Sequence, residues 1–164
     1  MKKLLQIGIV IILAIVILVA YSFKQWFFPT PNPTKTFRYL VVNPIPNSVT
    51  SIQEGNSIAM DSVFRVLTFQ INKSDLKIIL DGQHFTPIDE NQEFKRWDSN
   101  SNQEITISKE DYLNRWKQQI HNQVKLDVSF SNSWQIFILK EGNGTKYFFF
   151  DTNSTAAVFV ADAH

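Results

Sequence analysis

Cysteine is absent from all 164 residues of the sequence. This absence excludes disulfide bonds, thiolate metal sites and a cysteine nucleophile. It also excludes a lipid attached through a bacterial lipobox, because Leu18-Val19-Ala20 leads to the position of that cysteine and Tyr21 stands there. If a membrane holds this chain, the polypeptide itself must provide the attachment.

Basic residues are neither in excess nor clustered. The first 28 residues contain no Asp or Glu, and the 13 Lys and Arg that follow Phe28 are outnumbered by 15 Asp and Glu, which gives a net charge of −2. A nucleic-acid-binding domain normally carries a concentrated basic face. We therefore expect no nucleic acid partner.

Sequence motifs for catalysis are also missing. The three histidines, His84, His121 and His164, lie far apart, and none has the spacing of an HExxH metal motif. Ser62 lacks the flanking glycines of a nucleophile elbow, and the segment 142–144 lacks the third glycine of a dinucleotide-binding loop. No motif therefore predicts an enzyme class or a bound cofactor.

A long hydrophobic run is present at the N-terminus. Residues 4–23 carry no charge, and a helix of that length measures about 30 Å, the thickness of a hydrocarbon core. The sequence predicts a single-pass transmembrane helix here, with the lipid bilayer as its partner. The predicted membrane-anchoring residues are Leu4, Ile7, Ile11, Leu13, Ile15, Leu18, Tyr21, Trp26 and Phe27.

Charge at the start of this run sets the predicted orientation. Lys2 and Lys3 precede it, and positive residues remain preferentially in the cytoplasm. We expect a cytoplasmic N-terminus and a periplasmic or extracellular C-terminal domain. A cleaved signal peptide is the alternative, because Ala20-Tyr21-Ser22 offers small residues at a peptidase site. The apolar run exceeds the roughly 7–15 residues of a signal peptide, which favours a retained anchor.

One small domain is predicted beyond the anchor. We assign residues 1–28 to the signal anchor with its aromatic interface, residues 29–36 to a proline-rich spacer and residues 37–164 to an extracytoplasmic α+β domain. The expected architecture has two layers, in which two helices pack on a mainly antiparallel sheet.

Alternating apolar residues predict strands in the first half of this domain. The pattern indicates a strand at 37–42, a short extended piece at 49–53 and a strand at 61–71. Ser74 is predicted to cap a short helix that runs to about Leu80, with Gly82 at its stop.

The second half is predicted to contain the clearest helix and a meander. The segment 108–111 has the spacing of a capping box. An apolar stripe follows it, made of Tyr112, Leu113, Trp116 and Ile120. The apolar period then changes to two, which predicts four consecutive strands at 124–130, 134–139, 145–150 and 156–161. Turn-forming residues connect them, so we expect an antiparallel four-stranded meander.

The segment 94–112 resembles the calcium-binding loop of EF-hand proteins. Asp98, Asn100 and Asn102 match loop positions 1, 3 and 5, and Ile105 matches the apolar eighth position. Phe94 and Trp97 stand where an entering helix would place them.

The same segment departs from the EF-hand pattern at two positions. Gln103 replaces the glycine of the sharp turn, and Lys109 replaces the bidentate glutamate, while Glu110 follows one residue late. The resemblance implies a calcium site at Asp98, Asn100, Asn102 and Glu110. The alternative is a polar loop that leads into a capped helix.

Three functions follow from the sequence as hypotheses. The first is a noncatalytic binding module of the cell envelope, with a possible envelope protein as partner. The second is an envelope hydrolase or metal-dependent enzyme with a dispersed site, which requires a deep polar pocket that joins His84 or His121 to a carboxylate. The third is a calcium-responsive module through residues 98–110.

Overall fold

The computed structural model describes residues 12–22, 32–58, 62–89, 93–98, 102–142 and 144–163. The chain divides into two compact units, Met1–Pro31 and Asn32–His164. In the first unit, residues 12–22 form helix α1. Among the residues that the structure describes, no helix has both the length and the apolar character needed to cross a membrane. The rest of the predicted anchor, at 4–11 and 23–28, lies outside the described residues, and so do the anchoring residues Leu4, Ile7, Ile11, Trp26 and Phe27.

The second unit is an α+β domain, as the sequence predicts. Its helices are α2 (Pro33–Leu40), α3 (Lys73–Gln83) and α4 (Lys109–Val124). Its strands are β1 (Thr50–Ile58), β2 (Val63–Gln70), β3 (Thr86–Pro87), β4 (Phe94–Asp98), β5 (Gln103–Ile107), β6 (Trp134–Glu141), β7 (Gly144–Asp151) and β8 (Ala156–Ala163). The predicted strands at 61–71, 134–139, 145–150 and 156–161 are confirmed as β2, β6, β7 and β8.

Six of these strands form one sheet in the order β1-β2-β8-β7-β6-β3, and β4 and β5 form a separate hairpin. Every described pair is antiparallel. Strands β6, β7 and β8 are a meander, and β8 is paired with β2 on its other side. The last strand along the sequence therefore lies in the middle of the sheet.

Helices cover both faces of this sheet, so the predicted two-layer arrangement is wrong. On one face, Phe148 and Phe150 pack with Phe37 of α2 and Ile79 of α3. The opposite face buries Phe149 in a cluster to which α4 contributes its apolar stripe. The physical reason is that three consecutive phenylalanines of β7 are buried, which makes both faces of the strand apolar and requires a cover on each.

The predicted strand at 37–42 is wrong, because these residues begin in helix α2. Asn32 caps the helix by accepting a 3.0 Å hydrogen bond from the Lys35 backbone N–H, and proline follows at the first position, where it needs no hydrogen-bond partner. Phe37 and Val41 are buried four residues apart on one side, whereas Tyr39 is 82% exposed. Three apolar residues at alternate positions fit both the two-residue period of a strand and the 3.6-residue period of a helix. The cap at Asn32 favours the helix.

The predicted strand at 124–130 is also wrong. Val124 is the last residue of α4, Lys125 adopts a left-handed conformation with φ of 59°, and 126–130 form no strand. Val128 is buried, and Leu126 and Phe130 pack against the same cluster on the α4 side of the sheet. The alternation in the sequence therefore reflects burial of one side of an extended segment that has no partner strand.

Two other elements are longer than predicted. Strand β1 extends the piece expected at 49–53 to Ile58, and its polar residues are those of an edge strand. Helix α3 is capped by Asn72, which accepts a 2.8 Å hydrogen bond from the Asp75 backbone N–H, and it continues through Gly82. His84 ends it in a left-handed conformation with φ of 58°.

Candidate binding surface around helix α4

Helix α4 begins where the sequence predicts. The backbone N–H of Asp111 donates a 3.0 Å hydrogen bond to Oγ of Ser108, and that hydroxyl donates a 2.7 Å hydrogen bond to Oδ2 of Asp111. Glu110 and Asp111 lie in the first turn and His121 in the last, so each charge complements the helix dipole. The cap and the dipole fix the start and direction of the helix.

The two sides of α4 have different chemistry. Leu113, Trp116 and Ile120 are buried against the sheet, which confirms the predicted apolar stripe. The opposite side is rich in neutral amides, from Asn114, Gln118 and Asn122. Because each amide offers one acceptor and two donors, this side can bind neutral polar groups of either kind.

The larger groove beside α4 has a volume of about 650 Å³ and is lined by polar residues that include Arg115, Lys117 and His121. In its wall, Nδ1 of His121 lies 2.9 Å from Oδ1 of Asp127. The two side chains are 56% and 93% exposed, so solvent screens the pair and it contributes little to stability.

This pair has the form of an oriented histidine, but it lacks the other parts of a catalytic site. In the part of the chain that the structure describes, His121 hydrogen-bonds to Asp127 and to no hydroxyl group that could act as a nucleophile. The exposure of both side chains also leaves the site in water, where electrostatic catalysis is weak.

A second groove, of about 360 Å³, lies on the other flank of α4. We call it the tyrosine groove. Its aromatic lining is Tyr112, Trp116 and Tyr147, and its polar lining is Arg115, Gln118, Gln119 and Asn122. Arg115, Gln118 and Asn122 also line the larger groove, so the two grooves meet along the exposed ridge of the helix.

The tyrosine rings in this groove are held by other aromatic rings. The ring centroid of Tyr147 lies 4.6 Å from that of Trp116, and its ring is stacked on Phe149 at 6.3 Å. Tyr112 packs on Phe94, with centroids 4.7 Å apart. Both tyrosines are partly exposed, so each presents a fixed ring to the groove.

The pKa values of both tyrosine hydroxyls in this groove are raised. Burial, followed by the nearby Tyr112 and Asp162, raises the pKa of Tyr147 to about 12. Burial also raises the pKa of Tyr112. At neutral pH each phenol can therefore both donate and accept a hydrogen bond.

The segment that resembles an EF-hand forms a β-hairpin in the structure. Strands β4 and β5 pair Asp98 with Gln103, so a strand and not a helix enters the loop. Asn100 and the side chain of Asp98 lie outside the described residues, Asn102 is in a turn with φ of 52°, and Glu110 is exposed in α4. The calcium site at these four residues stays a prediction.

The remaining sequence candidates are His84 and His164. His84 is the left-handed cap of α3, and His164 lies outside the described residues. Within the described ranges, no three His, Asp or Glu side chains are grouped closely enough to hold a metal ion.

Sequence reasoning missed the row of amides on α4 that lines both grooves. The signal was present, because Asn114, Gln118 and Asn122 recur at a spacing of four and therefore share one side of a helix. The approach of Tyr147 to Trp116 carried no such signal, since it depends on how α4 crosses β7. No protein-family model, curated protein or solved structure matches this chain.

Proposed function

We propose that this chain is a single-pass membrane protein whose extracytoplasmic domain is a noncatalytic binding module for a component of the cell envelope. The N-terminus is cytoplasmic and residues 4–23 lie in the bilayer. The domain binds its partner through the side chains of α4.

The observation that carries the anchor is the exposure of the apolar side chains of α1. The side chains of Ile12, Leu13, Ile15, Val16, Ile17, Leu18, Val19 and Tyr21 are 56–68% exposed. Leaving apolar surface in water costs about 25 cal/mol per Å², and a helix that is apolar on all sides is favoured in lipid. The neighbouring residues 4–11 continue the uncharged run in the sequence.

The shape of the α4 surface supports binding in preference to catalysis. Two open grooves meet at Gln118 and Asn122, and the amides there offer neutral hydrogen-bonding groups. Such a surface can recognise a partner without a reacting group.

The cysteine-free sequence allows a direct test of anchor and orientation. A Lys140→Cys variant carries its thiol at an exposed position of β6. We expect a membrane-impermeant maleimide to label it in intact expressing cells, and the intact mass to show an uncleaved, membrane-bound chain. The matched control lacks residues 1–28 and should be labelled only after lysis. Labelling of the full chain only after lysis contradicts the orientation, and a soluble product contradicts the anchor.

A second experiment tests the binding surface. A photo-crosslinking amino acid at Gln118 should give adducts with an envelope component in intact cells. The same group at Lys77, which is exposed on α3, is the control and should give none. Equal adducts at both positions would show that α4 is not the binding surface.

A hydrolase is the second candidate function, and the observation in its favour is the 2.9 Å contact between His121 and Asp127 in the larger groove. It predicts hydrolysis of a chromogenic ester by the full chain that His121→Asn abolishes. Equal rates for the two proteins would favour the binding module.

A further inference from the structure

We propose that the tyrosine groove binds a neutral polysaccharide chain. This inference rests on the proposed binding module and names the class of its ligand. It assigns the contact to the flank of α4 that faces Tyr147 and not to the flank that carries His121.

The aromatic rings of the groove provide the first part of the argument. A sugar ring has an apolar face of C–H groups, and aromatic rings bind such surfaces while their polar edges remain hydrated. Tyr147 is fixed by Trp116 and Phe149, and Tyr112 by Phe94. Because the rings are already held, binding requires little loss of side-chain entropy.

The polar groups of the groove match hydroxyl groups. A sugar hydroxyl donates one hydrogen bond and accepts others, and it needs partners of both kinds. The amides of Gln118, Gln119 and Asn122 supply donors and acceptors along one side of the groove. On the other side, the neutral phenol of Tyr147 can also donate and accept a hydrogen bond. Its hydroxyl has a fixed position because the ring is packed against its neighbours.

The charge of the groove argues against polyanions. Among the described residues that line it, Arg115 is the single cation and none is a carboxylate. Asp162 lies close enough to Tyr147 to raise its pKa, so the local field contains both signs. Nucleic acids require several cations along their path. A neutral ligand fits this arrangement better.

The absence of aliphatic side chains among the lining residues argues against a peptide. Protein partners bind most strongly where an apolar side chain enters a well-packed pocket. The described lining offers aromatic rings, amides and one guanidinium group, but no Leu, Ile or Val to surround such an anchor. The groove is also open at the surface, so a chain longer than one sugar can lie along it.

The test uses the full chain in lipid nanodiscs, since sugar-headed detergents would compete for the groove. The probes are hexamers of β-linked glucose, hexamers of β-linked N-acetylglucosamine, and dextran. Calorimetry should detect saturable binding of at least one of them. Tyr147→Ala and Gln119→Ala should each weaken it about tenfold, the effect of losing about 1.4 kcal/mol of contact.

Matched variants separate the groove from the rest of the surface. Tyr147→Phe keeps the ring and should retain more affinity than Tyr147→Ala. Lys77→Ala changes an exposed side chain of α3, so this variant should bind as the unsubstituted chain does. Circular dichroism checks that each variant is folded, and the surface variant Gln119→Ala keeps the test valid if Tyr147→Ala fails to fold.

Three results would overturn the proposal. They are failure of all three neutral probes to bind, binding that is unchanged in the folded Gln119→Ala variant, and preferential binding of a polyanion that salt abolishes. None of these results changes the expected labelling of Lys140→Cys or the expected crosslinking at Gln118. The experiments can therefore show that the ligand is not a neutral polysaccharide without contradicting the membrane-anchored binding module.

Discussion

Gly55 of strand β1 lies directly against Val124 at the end of helix α4: a β-carbon added at Gly55 would stand 2.7 Å from the β-carbon of Val124. Leu126 is also close, at 3.0 Å from the same point. Real β-carbons do not approach this closely, so the missing side chain is what allows α4 to reach the edge of the sheet.

Gly55→Ala should therefore destabilise the domain by about 1–3 kcal/mol, because the end of α4 must move to accommodate the added methyl group. Urea unfolding of the two proteins measures this difference. Gly82→Ala is the control, since an added β-carbon there meets nothing within 4 Å, and it should be neutral or stabilising by up to about 1 kcal/mol. Val124→Gly removes the β-carbon that the added methyl group would meet, so it should reduce the cost of Gly55→Ala in the double variant, and strict additivity would contradict the steric explanation.

Substitution of Phe148 and Phe149 tests whether both faces of the sheet belong to the hydrophobic core. Their side chains point to opposite faces and both are fully buried. Phe148→Ala and Phe149→Ala should each lower the free energy of unfolding by about 3–5 kcal/mol. Tyr39→Ala removes an exposed ring and should change it by less than about 0.5 kcal/mol. A large cost at only one of the two phenylalanines would mean that one face is solvent-exposed.

The raised pKa of Tyr147 predicts a loss of stability at alkaline pH. Because its pKa rises from 10.0 in the unfolded chain to about 12 in the domain, the folded state retains a proton that the unfolded state has lost. This contribution is intact below pH 10 and is lost as the pH rises through 12. Tyr147→Phe cannot ionise, so its stability should fall less steeply over this range, whereas Tyr39→Phe should follow the unsubstituted chain. Urea unfolding at several pH values measures both, and identical slopes for all three proteins would contradict the assignment.

Calcium binding through residues 98–110 remains a separate prediction. If the site exists, millimolar calcium should raise the Tm of the full chain, because a ligand that binds the folded state stabilises it. The variant Asp98→Ala, Asn100→Ala should lose this shift, and magnesium serves as the control ion. An unchanged Tm in calcium would eliminate the site.

Helices with a cap and strands with a regular apolar period could be predicted from the sequence. Ser108 and the stripe behind it define α4, and the run of aromatic residues around Phe149, with turn residues on either side, defines β7. The full length of β1 has no signal in the sequence, because Ile52 and Ile58 are its only large apolar residues and the strand therefore has no apolar period. Helix α2 was misassigned because burial of Phe37 and Val41 also fits a strand.

The binding surface could be predicted only in part. The amides of α4 are visible in the sequence, since Gln118 and Asn122 repeat at helical spacing. The contact between Trp116 and Tyr147 joins residues of different elements, and it exists only after α4 has crossed the sheet. A groove formed by such contacts has no local sequence pattern.

The central position of β8 has a consequence for biogenesis. Strand β8 separates β2 from β7, so the first hairpin of the sheet has no neighbour until residues 156–163 have been made. A nascent chain that has not yet reached this strand cannot close the sheet. The sheet therefore closes only after residues 156–163 have been synthesised, and until then β2 and β7 each keep an edge that lacks its β8 partner.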